Sequence, residues 1–280
     1  MTSLSWVILT RGDRPSELRT AIDSLIGHDV VVVFNGVEPT IDPSDHLGVV
    51  AVTDNLGIPG GRDLGVHSTD SDIVAFLDDD AHMLSPGSHE SITAAFDADS
   101  TLGAVSLRIV DEHGETTRRH IPRFGGDSAD RSGPVGTFLG GACAIRRTAY
   151  EAAGGYWPEL FYAHEELDLS WRLHDAGYVI RYLGDVLVEH PRLPVSRHPE
   201  GWWRTGRNRT LIARRNLPLP LAAIHVGLWF AIGLTRAPDR ASRTAYAKGL
   251  TGARHTSVER RPISWRTVWG LTRAGRPPVL

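Results

Sequence analysis

The chain has 280 residues, 41% of them hydrophobic, and a net charge of −3 at pH 7. That apolar content suits one large α/β domain, or a domain with an appendage, and excludes a disordered or fibrous protein. A single cysteine, Cys143, excludes an internal disulfide and a cysteine-based zinc cluster, which fits a reducing compartment. The opening "MTSLSWVILTRGDRP" has no basic region and too short an apolar run for a signal peptide, so a cytoplasmic chain is expected.

In chain order, "LSWVIL" (4–9) reads as a strand, and "ELRTAIDSLI" (17–26) as a helix with Leu18, Ala21, Ile22, Leu25 and Ile26 on one face. "DVVVVF" (29–34) is apolar enough for a strand buried on both sides. "LGVVAV" (47–52) and "DIVAFL" (72–77) read as two more strands, separated by the glycine-rich "NLGIPGGRDLGVHS" (55–68). A helix "HESITAAF" (89–96) and a strand "GAVSLRIV" (103–110) follow. Residues 123–136, rich in Gly, Ser and Asp, read as a mobile loop, "TFLGGACAIRR" (137–147) as a strand, and "EELDLSWRLHDAG" (165–177) as a helix closed by Gly177. "VLVEHP" (186–191) is the last strand expected. Strands alternating with helices define an α/β domain, in which ligands bind beyond the carboxyl ends of the strands. "TRGDR", "FNG" and "LDDDA" all fall there.

Beyond residue 200 the chain changes character. Residues 197–280 hold 16 Lys/Arg against 3 Asp/Glu, a net +13, so the remainder carries −16. This asymmetry points to an anionic partner, such as a membrane surface, a phosphorylated substrate or a nucleic acid, or to docking of the tail on its own acidic body. Within it, "LPLAAIHVGLWFAIGL" (219–234) is apolar on every side but short for a membrane span. Flanked by Arg214, Arg215, Arg236 and Arg240, it suits a membrane interface, an oligomer contact or a packing helix.

Three adjacent aspartates, Asp78, Asp79 and Asp80, follow the strand at 72–77. Like charges there need water, hydrogen bonds or a cation, and carboxylate oxygens suit Mg²⁺ or Mn²⁺. "TRGDR" (10–14), "NLGIPGGRDLG" (55–65), the Asp triplet (78–80) and "GGYWPELFYAHEELDLSWR" (154–172) occur in the order seen in the family 2 glycosyltransferases, which the chain resembles over residues 4–215.

The resemblance implies a GT-A fold: a single Rossmann-like α/β domain with a mixed, mostly parallel sheet flanked by helices. Residues 1–200 would be catalytic, with a nucleotide-sugar half (1–110) and an acceptor half (111–200), and 201–280 a basic helical extension. It further implies an inverting transfer from a UDP- or dTDP-sugar, with Mg²⁺ or Mn²⁺, to a hydroxyl of a cell-surface glycan, lipid-linked or natural-product acceptor.

Carried over by position, Thr10, Arg11 and Arg14 would border the base, and Asn35 would read base or ribose. Asn55, Gly57 and Arg62 would approach the diphosphate, the glycines 57, 60, 61 and 65 allowing close backbone contact. Asp78 would face the ribose, Asp79 would lie in the donor site, and Asp80 would ligate the metal with His190. The base falls among Glu166, Glu165 and Asp168, since the family usually has Asp at the position of Glu166. Arg207, in "WWRTGRNR", would reach the diphosphate or an anionic acceptor, and Gly140, Gly141 and Trp157 would lie on the acceptor side.

The competing readings are a sugar-phosphate nucleotidyltransferase and a non-catalytic membrane- or nucleic-acid-binding protein using the basic tail. "LTRGDRPSEL" has one glycine where the former needs a glycine-rich loop, and the acidic motifs speak against the latter, so no nucleic acid is expected. A phosphatase of the Asp-x-Asp-x-Thr type is disfavoured by His82.

Overall fold

The structure is a computed structural model and describes residues 2–123, 128–192 and 200–279. The strands β1 (Leu4–Thr10), β2 (Val30–Asn35), β3 (Leu47–Val52) and β4 (Ile73–Asp78) pair in parallel, in the spatial order β3-β2-β1-β4. Helix α1 (Pro15–Asp23) joins β1 to β2, and α2 (Gly57–His67) joins β3 to β4. The two-residue β5 (His82–Met83), α3 (Ser88–Ala98), β6 (Leu102–Val110) and β7 (Gly133–Val135) come next. β8 (Ala142–Arg146) inserts antiparallel between β4 and β6, and after α4 (Arg147–Ala152) and α5 (Glu165–Asp175) the chain adds β9 (Val179–Glu189) parallel to β6. Two antiparallel steps around β8 thus return β6 and β9 to the direction of β4. The carboxyl ends of β1, β2, β4 and β9 therefore share one edge, where ligands bind in such sheets.

Successive side chains on a strand face opposite ways, and the core divides accordingly. Trp6 and Ile8 of β1 join Leu18, Ala21, Ile92 and Phe96 under α1 and α3. Val7 joins Val66, Phe76, Tyr150, Leu169 and Leu173 under α2, α4 and α5. The other side of α5 presents Leu167 and Trp171, one turn apart, to a third cluster with Leu211, Ile212, Leu217 and Leu271. Those residues come from α6 (Gly201–Asn216), the 217 position that follows it, and α9 (Trp265–Arg273), with α7 (Leu219–Arg236) and α8 (Arg240–Gly252) between them. The basic extension is helical and shares its core with α5.

Five segments differ from the sequence reading, the last strand among them, since β9 starts at Val179 and not at 186 and stops at Glu189. Helix α1 stops at Asp23, and a turn through Gly27 (φ 87°) leaves Ile26 79% exposed while Leu25 is buried. The glycine-rich 55–68 segment is mostly helix: a side chain at Gly61 would collide with Leu9 and one at Gly65 with Val7, so these glycines let α2 press against β1. Of 123–136, residues 124–127 lie outside the described residues, and Gly133–Val135 pairs with β9 instead of looping. The strand expected at 137–147 is confined to Ala142–Arg146, because Arg147 opens α4 and anchors to the carbonyls of Val66, Thr69 and Ser71.

Candidate active site

At the end of β4 the three aspartates part company. Asp79 is buried and turned inward, accepting from the Thr10 hydroxyl at 2.7 Å and from Arg14 Nη2 at 2.5 Å. Burial pushes its carboxyl up to about 6 against those two partners. Asp78 and Asp80 face the other way, towards His190 just beyond β9. His190 Nε2 lies 3.6 Å from Asp78 Oδ2 and 3.3 Å from Asp80 Oδ1, and Asp80 also pairs with Arg14.

The other ring nitrogen of His190, Nδ1, sits 3.0 Å from the Pro191 carbonyl, which makes Nδ1 the donor and directs Nε2 to the carboxylates. Burial favours the neutral imidazole, but the two carboxylates outweigh it and raise the His190 pKa to about 9. For Asp78, burial opposes ionisation, yet the His190 hydrogen bond and the Arg62 guanidinium hold the carboxyl well below the usual range. One ligand atom from each of Asp78, Asp80 and His190 lies within 4.8 Å of the others. Two hard oxygens and an oriented imidazole fit a divalent ion such as Mn²⁺, whereas Mg²⁺ prefers an all-oxygen shell.

Arg62 links this cluster to α5. Rising from α2 and 4% exposed, it donates to Asp78 Oδ1 and Glu165 Oε1, both at 3.0 Å. A Cβ on Gly140 would strike this guanidinium, and one on Gly141 the Asp78 carboxylate. Both glycines, expected on the acceptor side, thus floor the Arg62–Asp78 pair. Glu165 is buried, and burial together with the Glu166 charge raises its pKa against the pull of Arg62.

The approach to α5 is strained. Phe161, Ala163 and His164 hold φ of 56°, 69° and 71°, a region that costs a residue other than glycine about 1–3 kcal/mol. Asn208 of α6, fully buried, shares its amide hydrogens among the carbonyls of Leu160 (2.8 Å), Tyr162 (2.7 Å) and Ala163 (3.0 Å). From the other side, Ile58 N–H donates to the Phe161 carbonyl at 2.7 Å. Gly57 (φ 72°) has no room for a side chain against that same backbone. The glycines at 57 and 60 are closely packed against Phe161 and Leu56.

These restraints fix the first turn of α5. There Glu166 is half-buried, and among the described residues its carboxylate makes no ion pair. Asp168 does not share that freedom: fully buried, it accepts from Arg172 (2.5 Å), Arg215 (3.0 Å) and Asn216 (2.6 Å). Its lone pairs are committed to joining α5 to α6, which removes it from the candidate bases.

Several expected donor contacts are otherwise engaged. Asn35 Nδ2 donates to Asn55 Oδ1 (3.1 Å) and to the Gly57 carbonyl (3.0 Å), and Asn35 Oδ1 accepts from Leu56 N–H (2.8 Å). Asn55 Oδ1 also accepts from Gly57 N–H at 2.9 Å. This pair clamps the start of α2 instead of reading a base. Thr10 spends its hydroxyl proton on Asp79, while Arg11 is exposed. Arg207 is held by the Glu159 carboxylate and carbonyl, away from the Arg62 cluster, and Trp157 lies beneath the Arg215 guanidinium at 4.6 Å as packing. Asn208 is the positioning residue that the sequence reading missed, and no local pattern marks it.

Solved structures share this architecture. GalNAc-T7 with UDP, GalNAc and Mn²⁺ superposes with a TM-score of 0.62 at 14% identity, covering 89% of this chain and 54% of that one. TarS of S. aureus (residues 1 to 349) gives 0.62 at 13%, covering 88% and 78%. The mannosyltransferase PcManGT of Pyrobaculum calidifontis with GDP-Man and Mn²⁺ gives 0.57 at 16%, covering 97% and 79%. The chain has the GT-A glycosyltransferase fold. In sequence it is 29% identical over 199 residues to the pre-mycofactocin glycosyltransferase of Mycobacterium tuberculosis, in two strains. That match takes in 66% of this chain, which spans 42% of the length of the curated relatives. No family model matches.

Proposed function

We propose that the chain is a metal-dependent, inverting glycosyltransferase that moves a sugar from a nucleotide-sugar to an acceptor hydroxyl. The observation that carries this reading is the continuous relay from Asp80 and His190 through Asp78 and Arg62 to the first turn of α5. Asp78, Asp80 and His190 would hold Mn²⁺ or Mg²⁺, whose positive charge stabilises a departing nucleoside diphosphate. Glu166, without an ion pair among the described residues and on the amino-terminal turn of α5, takes the acceptor proton as the hydroxyl attacks the anomeric carbon. Glu165 instead braces Arg62. The deprotonated acceptor oxygen bonds to the anomeric carbon as the nucleoside diphosphate leaves from the opposite face, and one such displacement inverts that centre. UDP-sugars are the first donors to test, since GalNAc-T7 was solved with UDP and Mn²⁺.

Thermal unfolding of the full chain against a panel of nucleotides and nucleotide-sugars, with and without Mn²⁺, tests this. A cognate donor at 100 times its Kd stabilises the native state by about 2.7 kcal/mol, and only with the metal present. Absence of a shift across UDP-, dTDP- and GDP-sugars would remove the reading.

The same reading places the enzyme at a membrane surface, in keeping with a lipid-linked or cell-surface acceptor. Helix α7 has 18 residues with a mean hydropathy of 1.4, and only 17% of it is buried. Leu219 (69% exposed), Ile224 (54%) and Phe230 (42%) are exposed along it, Leu219 and Phe230 on one side, and α9 exposes Trp265 and Trp269 beside Arg266 and Arg273. The inner face is tied down: His225 is buried against Trp171, its Nδ1 2.9 Å from the Pro278 carbonyl. A helix anchored along one side lies in the interface instead of crossing it, with arginines meeting anionic head groups. Sedimentation with phosphatidylglycerol vesicles is expected for the native chain, and much less for Trp265→Ser/Trp269→Ser. Equal sedimentation of the two would assign this face to an oligomer contact.

A further inference from the structure

Next to Asn208, which holds the approach to α5, stands a buried arginine that the donor chemistry does not use. Arg209, next to the loop-holding Asn208, is 6% exposed, with its guanidinium carbon 3.2 Å from the Trp229 ring centroid. Its Nε and Nη1 are buried and meet no acceptor, and no carboxylate pairs with it among the described residues. Stacking on an indole recovers part of the lost hydration, but the planar donors of a guanidinium still need oxygens.

The neighbours add positive charge instead of cancelling it. Burial lowers the Arg209 pKa most, Arg276, in the segment after α9, and Arg236, at the end of α7, lower it further, and Tyr246 and Glu166 oppose them. Arg276 likewise feels Glu166. His164 and His225, whose Nε2 atoms are also buried without partners, are kept neutral by burial and by Arg209. A buried cation lacking a counterion destabilises a fold, and such a group persists where a ligand completes it.

We infer that Arg209 and Arg276 form an anion subsite beside Glu166 that receives a phosphate or carboxylate group carried by the acceptor. Adjacent residues on a helix point about 100° apart. Glu165 is turned to Arg62 and the donor cluster, while the charge of Glu166, the next residue, acts on Arg209 and Arg276. An anion held there would set the acceptor's hydroxyl near the Glu166 carboxylate. The word acceptor rests on the glycosyltransferase reading, whereas the anion site does not.

The test is thermal unfolding of the full chain in inorganic phosphate, in acetate and in chloride at matched ionic strength. Phosphate or acetate at ten times its Kd is expected to raise the Tm of the native chain by roughly 3 °C over chloride. A response to phosphate alone marks a phosphorylated acceptor, and one to acetate a carboxylate. In Arg209→Gln the chloride Tm is expected to rise, because the uncompensated cation is gone, and the anion response to vanish. Arg276→Gln weakens the response, Arg209→Lys retains part of it, and Arg14→Gln, in the donor cluster, leaves it in place. An undiminished response in Arg209→Gln, or a lowered chloride Tm there, would make Arg209 a stacking residue only and overturn the inference. No nucleotide-sugar enters this titration, so failure of donors to bind would sink the proposed activity and leave the anion site standing.

Discussion

Glu166→Gln is expected to reduce sugar transfer by about 100- to 10,000-fold, the range that a positioned general base supplies, while Mn²⁺-dependent nucleotide binding stays near its native value. The three acidic side chains at the start of α5 are not interchangeable in the folded protein. Asp168 is closed off by Arg172, Arg215 and Asn216, and Glu165 by burial and Arg62. Only Glu166 remains half-buried without an ion pair among the described residues. Steady-state kinetics paired with nucleotide titration separates the outcomes: the loss should appear in kcat with little change in donor Kd. Near-native turnover in Glu166→Gln would take the base away from α5, since its two neighbours are already committed.

The strain before α5 gives that single carboxylate its setting. Three successive departures into the left-handed region within 161–164 persist because Asn208, Ile58 and Gly57 hold the backbone from two sides. At about 1 kcal/mol for each net hydrogen bond, the bonds to these carbonyls are of the same order as the strain they oppose. The loop is thus held by both α2 and α6, which ties the β3–β4 connection to the basic extension.

Much of this was legible in the sequence. Continuous apolar runs located β1, β2 and β4, because strands buried on both faces need no alternation, and the half-buried edge strand β3 showed the same kind of run. The spacing of Asp168 and Arg172, four apart, is a local sign of the helical pair that forms. The glycines at 57, 61 and 65 are also four apart and lie on one face of α2, so the pattern of a closely packed helix was present but masked by low helix propensity. Other features had no local signal. β7 is three residues long and exists through its pairing with β9, some 50 positions away. The partners of Asn208 lie 45 to 48 positions upstream, and no composition reveals that one amide bridges them. Arg209 looks like any arginine in a basic helix until its burial is seen.

Asp80→Ala is expected to weaken Mn²⁺-dependent nucleotide binding by more than about 100-fold, beyond the effect usual for residues that merely orient a ligand. Its neighbour Asp79, beside it in the turn after β4, has other partners. Asp79, pointing inward, is held by Thr10 and Arg14, so Asp79→Asn should lower the Tm through a damaged buried network while the metal ligands stay in place. Asp80, also buried, has His190 Nε2 3.3 Å from one oxygen and Arg14 on the other, and its removal takes an oxygen from the candidate metal cluster and leaves Arg14 its ion pair with Asp79. Titration of UDP with and without Mn²⁺ on both variants distinguishes the roles. Retention of the Mn²⁺ effect in Asp80→Ala would move the ion off this cluster, and with it the charge stabilisation on which departure of the diphosphate depends.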